Sequence, residues 1–256
     1  MDYSLYLPTL CYAGLLSLLG LAVVLRHRAS GIPDFSLVSY AGLGVLVTGV
    51  TVLQGLNLYL GPVFAFAAGC LFGFGQYRGV LAVMERRGDN AVMRTLSTIG
   101  VQLLAGGLLG GIVYCFVDIF GTTAYFFHYV QVYDFTFMGV KGVFLVVPVI
   151  CAAVYAALLY LWRTPLWARV VASEENPELA MIQGVDPWRV KTQIWVLTGG
   201  LACAAGSLFS SFIHFYPDSL SLLVPILTVG VLAGFESLAL SVVAASAALS
   251  AIPAAA

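Results

Sequence analysis

Charged side chains are scarce in this chain. Asp, Glu, Lys and Arg make up only 9% of its 256 residues, against about 25% in an ordinary soluble domain. Too few polar side chains remain to cover a water-facing surface, and 61% of the residues are hydrophobic. The mean hydropathy is +0.99. This reads as an all-α polytopic membrane protein, too short to hold a sizeable soluble domain as well. The net charge of −1 says nothing about nucleic acid, but no basic patch or nucleic-acid motif is present, so no nucleic-acid partner is expected. Cysteine is also sparse: Cys11, Cys70, Cys115, Cys151 and Cys203 all lie within apolar runs without paired spacing, so neither a disulfide framework nor a metal site is indicated. A Ser/His/Asp set, an HExxH helix and paired carboxylates inside a span are all missing. So is a P-loop, and the chain does not bind ATP through that motif.

What the chain does have is long apolar runs. A helix needs about 20 apolar residues to cross a bilayer. Runs of that kind fall at 4–25, 36–53, 57–77, 95–117, 142–162, 192–213, 220–235 and 237–252, giving about eight transmembrane helices. The last two are short, and two full spans or one re-entrant hairpin both fit them. The first run follows Asp2 and has no basic flank before it, so it reads as a retained span rather than a cleaved leader. Arg26 and Arg28 follow the first run. Arg78, Arg86, Arg87 and Arg94 lie between the third and fourth, and Arg163, Arg169, Arg189 and Lys191 between the fifth and sixth. Ten of the eleven basic residues thus gather on one side, which the positive-inside rule makes cytoplasmic, with the N-terminus outside. The opposite loop, 118–141, is aromatic and nearly uncharged, which suits the membrane interface. Small-residue clusters such as Gly106-Gly107, Gly110-Gly111 and Gly199-Gly200 predict close helix packing.

Ionisable residues inside spans are costly and usually functional. This reading finds almost none: Asp34, Asp118 and Glu236 fall at span ends. Proton- or sodium-coupled transport would call for one mid-span, so an external energy source fits better. Glu236 reads either as a hydrated turn residue or as a contact for a cytoplasmic partner. Gly31, Pro33, Asp34, Phe35 and Ser36 interrupt the chain between the first two runs. Pro33 removes a helical hydrogen bond and Gly31 admits unusual dihedrals. Two readings fit that segment: an ordinary connection, or a discontinuous helix beside a translocation pathway, where freed backbone groups can face water.

The polar stretch 163–191 stands out between two apolar runs. It carries Glu174, Glu175 and Glu178. Asn176 fits an N-cap, with Pro177 as the first helical residue and Glu178 in the first turn, where negative charge is favoured. Ala180, Met181 and Ile182 would form a small apolar face. Gly184 fits the position just past the helix end, and Asp186 with Pro187 would start the next helix. Taken alone, the stretch reads either as a solvated loop or as a surface on which a soluble partner can push.

The residues Arg163-Thr164, Leu166, Arg169, Ala172, Glu175, Glu178-Leu179-Ala180, Gly184-Val185-Asp186 and Arg189-Val190-Lys191 resemble, in order, the cytoplasmic loop of branched-chain amino acid ABC importer permeases. The Gly/Ala-rich run Gly199 to Gly206 is similar to the helix that follows in that family. Gly31, Asp34, Phe35 and Ser36 are similar to its G-x-x-N-F-[AS] segment. The likeness extends over roughly residues 8–215. Trp167 stands where the family usually has Gly, and Val171 where it has Arg.

The resemblance implies a single permease domain over 1–256, with a coupling loop at about 163–191, in the prokaryotic plasma membrane. It implies no enzyme activity and no cofactor on this chain, ATP and Mg being held by partner ATPases. The implied partners are a second related permease, two cytoplasmic ABC ATPases and an extracytoplasmic solute-binding protein. Glu174, Glu175, Pro177, Glu178, Ala180, Gly184 and Asp186 would form the ATPase-coupling surface; on the discontinuous-helix reading of their segment, Gly31, Pro33, Asp34, Phe35 and Ser36 are the candidate pathway residues. The expected solute is a branched-chain or other amino acid. Urea or a short amide is the alternative, and a channel that needs no ATPase is the reading from outside that class.

Overall fold

A computed structural model of the chain describes residues 3–120, 134–137, 140–210, 222–233 and 243. The fold is helical. In order it has α1 (Tyr3–Ser30), α2 (Leu37–Leu53), α3 (Gly61–Gln76), α4 (Ala82–Arg87), α5 (Ala91–Phe120), α6 (Val143–Trp162), α7 (Pro165–Glu175), α8 (Pro177–Ile182), α9 (Pro187–Phe209) and α10 (Leu223–Leu232). A 3₁₀ turn at Leu58–Leu60 leads into α3, and a π-turn at Tyr77–Leu81 joins α3 to α4. A two-residue antiparallel ladder, β1 (Thr136–Phe137) and β2 (Val140–Lys141), precedes α6 and pairs Thr136 with Lys141.

Five of the described helices are long and apolar enough to cross a membrane: Leu7–Ser30, Leu58–Arg87, Ala91–Cys115, Val143–Leu161 and Pro187–Phe209. Leu37–Leu53 and Leu223–Leu232 are apolar but shorter. The expected count of eight spans is therefore not reached among the described residues. The eighth run at 237–252 apart from residue 243, Glu236, and residues 121–133 and 138–139 of the 118–141 loop lie outside them.

The helices differ sharply in how deeply they are buried. The span windows of α1 and α9 are 67% and 72% buried, while those of α5 and α6 are 28% and 17% buried. α1 and α9 are thus the axis of the bundle, with α2 and α3 packed on α9 and α6 and α10 packed on α1. Helix contact in lipid depends on close approach rather than on a hydrophobic force. The α3–α9 crossing shows this directly. A Cβ on Gly69 would lie 2.3 Å from the Gly199 carbonyl oxygen, and one on Gly199 would lie 2.6 Å from the Gly69 oxygen. The predicted role of Gly199 in close packing is met. Gly106, Gly107 and Gly111 on α5 have open space around them, so those clusters do not pack against the described residues of this chain.

The first helix runs five residues beyond the run expected at 4–25. It ends at Ser30, where Gly31 (φ 66°) takes the left-handed conformation and its N–H bonds to the His27 carbonyl at 2.7 Å. This extension corrects two expectations. Arg26 is inside the span rather than in a loop, and the bundle is not free of buried charge.

Candidate functional site

At the end of the bundle where α1 stops, Arg26 and Asp34 form an ion pair with no solvent exposure of either side chain. The Arg26 guanidinium lies between two aromatic faces, 4.2 Å from the Tyr40 ring centroid and 4.4 Å from that of Trp195. Its Nε donates to Thr198 Oγ1 at 2.9 Å. Asp34 is satisfied on its other oxygen by the Ser36 backbone N–H at 2.9 Å and the Ser36 hydroxyl at 2.6 Å. The chain continues outward: Gln76 Nε2 donates to Ser36 Oγ at 2.8 Å, and the Tyr40 hydroxyl donates to Gln76 Oε1 at 2.6 Å. Trp195 Nε1 donates to Ser30 Oγ at 2.7 Å. Phe35 N–H reaches Thr98 Oγ1 at 3.2 Å, and Ser39 Oγ reaches Gln102 Oε1 at 2.8 Å.

This network joins α1, the 31–36 connector, α2, α3, α5 and α9. A buried charge is tolerable only when it is paired and hydrogen-bonded, and here the pairing is nearly complete. Among the described residues one of its atoms, Arg26 Nη2, is buried without a partner. The connector is accordingly a sealed joint: Ile32, Asp34 and Ser36 are buried, and only Gly31 is exposed. Its polar atoms are directed into the protein interior. Hydropathy could not reveal this, because the pair falls where a span and a loop are equally plausible. The signal that was present is Arg26 and Asp34 at a separation of eight residues, flanking a Gly-Ile-Pro turn.

The stretch 163–191 forms two helices with a break at Asn176. α8 has both ends closed by its own chemistry. Asn176 Oδ1 accepts the Leu179 N–H at 3.0 Å. At the other end Gly184 has φ 81°, its N–H bonds to the Met181 carbonyl at 3.0 Å, and Val185 N–H bonds to the Ala180 carbonyl at 2.9 Å. That pair of bonds is a Schellman motif, which requires the left-handed residue at Gly184. Asp186 Oδ1 then accepts from Trp188 and Arg189 N–H at 2.9 and 3.3 Å, starting α9 behind Pro187. The expected caps at Asn176, Gly184 and Asp186 are all present.

The apolar face of α8 differs from expectation. Ala180 is 2% exposed and turned into the protein, so it is not part of an outward surface. Ile182 and Met181 do face outward, and Leu179 joins them, with Ile182 82% exposed. The sequence does not single out Leu179, because a six-residue helix is too short for its periodicity to decide which side is inner. Glu175, Pro177 and Glu178 are exposed. Glu174 differs from them: it accepts from Arg28 Nε at 3.1 Å and so ties α7 to the end of α1. Trp167, the departure from the family pattern, lies beneath the same arginine, its ring centroid 5.7 Å from the guanidinium carbon.

The sequence-derived site residues thus fall into two places. Asp34 and Ser36 belong to the sealed node with Arg26. Glu175, Pro177, Glu178 and Gly184 present themselves outward on the short helices. Arg26 and Glu174–Arg28 connect the two places through α1.

The family model described as "Branched-chain amino acid transport system / permease component" matches residues 5–252. The chain belongs to this family. It is 30% identical over 200 residues to the probable branched-chain amino acid transport permease protein LivH of Methanocaldococcus jannaschii, covering 77% of this chain and 62% of that protein. A shorter stretch of 86 residues is 35% identical to the ribose import permease protein RbsC of Bacillus subtilis, covering 32% and 26% of the two chains. The alignment thus spans less than two thirds of either relative's length. No solved structure matches. The family places the chain among multi-pass membrane permeases, in keeping with the five long apolar helices.

Proposed function

We propose that this chain is the membrane permease subunit of an ATP-binding-cassette importer. In this reading, residues 1–256 act as one permease domain in a prokaryotic plasma membrane, with the N-terminus outside, and contribute half of a pathway for a small polar solute. Branched-chain amino acids are the first candidates, since the family and the LivH relative carry that description. The observation that carries the reading is the geometry of α8: a doubly capped helix, projecting Leu179, Met181 and Ile182, bonded at its end to the start of the central helix α9.

A cytoplasmic ATPase would seat those three side chains in a groove. Closure of an ATPase pair would then move α8 as a rigid unit. Because Asp186 caps α9 directly, that motion would pass to the helix at the centre of the bundle, as in a rigid-body gating transition. A second related permease would supply the other half of the pathway, and a solute-binding protein would deliver the solute outside. No nucleotide chemistry is assigned to this chain; ATP and Mg belong to the ATPases.

The test is reconstitution of the chain with its second permease, ATPases and binding protein in liposomes. ATP-dependent uptake of leucine, isoleucine or valine is the expected result. Preferential uptake of urea or a short amide would keep the machinery and change the solute, as would uptake of ribose. Uptake by this chain without any ATPase would overturn the reading in favour of a channel.

A further inference from the structure

Three cations gather where α1, α5 and α9 reach the same end of the bundle. Arg28 lies in the last turn of α1, Arg94 in the first turn of α5 and Lys191 in the second turn of α9. They line a cleft of about 760 Å³ together with Ser30, Ser173 and Glu174. Among the described residues, two carboxylates form ion pairs with these three cations. Glu174 pairs with Arg28 at 3.1 Å. Glu85 Oε1 accepts from both Arg94 Nη1, at 2.8 Å, and Lys191 Nζ, at 2.9 Å. One carboxylate thus serves two cations at once, Arg94 and Lys191. Arg94 Nε, moreover, is buried and makes no hydrogen bond. The Arg94, Lys191 and Arg28 side chains are only 19%, 18% and 22% exposed, so water screens their charges poorly.

We infer that this cleft binds a phosphate-bearing anion, with Arg94 and Lys191 as its principal donors and Arg28 at its edge. The volume is within the usual range for a small-ligand site, roughly 300–1,000 Å³. A phosphate oxygen can accept from the Arg94 guanidinium and the Lys191 ammonium and relieve the sharing at Glu85. The position favours such a ligand further. All three cations stand at the ends of helices long and apolar enough to cross a membrane, where lipid headgroups would lie, and basic pockets between spanning helices suit anionic headgroups. The same chemistry would accept free phosphate from the aqueous phase. The inference is independent of which solute is carried.

Thermal stabilisation of the full-length chain in neutral detergent tests it, with phosphatidylglycerol, phosphatidylcholine and inorganic phosphate titrated in separate arms. The site predicts stabilisation by phosphatidylglycerol and none by phosphatidylcholine. A parallel response to inorganic phosphate would identify a free-ion site, and its absence a headgroup site. Arg94→Gln combined with Lys191→Gln should weaken the apparent affinity by about tenfold or more, the scale of losing charge-assisted hydrogen bonds. Glu174→Gln removes a competing negative charge from the cleft and should tighten binding, a change that misfolding cannot mimic. No stabilisation in either anionic arm overturns the inference. So does an affinity that neither Arg94→Gln/Lys191→Gln nor Glu174→Gln shifts.

Discussion

The node around Arg26 and the short helix α8 hold their polar groups in opposite ways. Around Arg26 the charges and hydroxyls are turned inward and paired with one another across several helices. In α8 the polar groups serve the helix's own ends, and the apolar side chains Leu179, Met181 and Ile182 are left outside. The first arrangement draws its stability from distant partners and cannot be changed at one point without exposing the rest. The second is local and self-sufficient, so its outer surface is free to meet something else. Under the proposed function, a permease that both holds its shape and is moved by ATPases needs one region of each kind.

That contrast is broken most forcefully at Arg26. Arg26→Met leaves Asp34 buried and unpaired, and should cost about 3–5 kcal/mol of stability in thermal or denaturant unfolding of the solubilised protein. Arg26→Met combined with Asp34→Leu should recover most of that loss, since an apolar pair of similar size often replaces a buried ion pair without harm. A double variant as unstable as the single one would show that the node is held by its aromatic and hydroxyl contacts instead.

Smaller effects belong to the short helix. Gly184→Leu forces a side chain into the left-handed region and should cost about 1–3 kcal/mol. It should also uncouple ATP hydrolysis from uptake in the reconstituted transporter. Wild-type uptake and wild-type solute-stimulated hydrolysis in that variant would remove α8 from the coupling route. Asp186→Ala deletes the α9 cap and should cost about 1 kcal/mol by the same unfolding measurement. Ile182→Glu sharpens the comparison most: at a surface position it should change stability by less than about 0.5 kcal/mol, while abolishing retention of the ATPases on the purified permease. Full retention would mean that the exposed apolar face of α8 is not the docking surface.

The same division explains what the sequence reveals and what it hides. Asn176, Pro177, Gly184 and Asp186 act on backbone groups within a few residues of themselves, so the residue types and their spacing are enough to assign their roles. The middles of the five long helices are legible for a similar reason, each holding a continuous apolar run, although Leu58–Arg87 continues through Arg78, Arg86 and Arg87, which the runs alone place in a loop. The Arg26 node is not. Hydropathy ends a span at its first charge, whereas α1 continues to Ser30 because Asp34, Thr198, Tyr40 and Trp195 offset the cost of burying the guanidinium. Three of those partners come from other helices. Ala180 illustrates the limit at small scale: whether it faces in or out depends on where α7 and α9 lie.

The spacing of the Arg26 partners also bears on how the chain enters the bilayer. Thr198 lies 172 residues beyond Arg26, whereas Asp34 lies only eight beyond it. When the first helix emerges during synthesis, α9 has not yet been made. An arginine alone in a span costs up to about 2.5–3.5 kcal/mol at insertion, the value for the helix centre. A carboxylate that follows within eight residues lets the nascent segment neutralise itself before the rest of the bundle exists. Asp34 is thus the partner of Arg26 that the chain can supply before α9 exists, whereas Thr198 and Trp195 can join only afterwards.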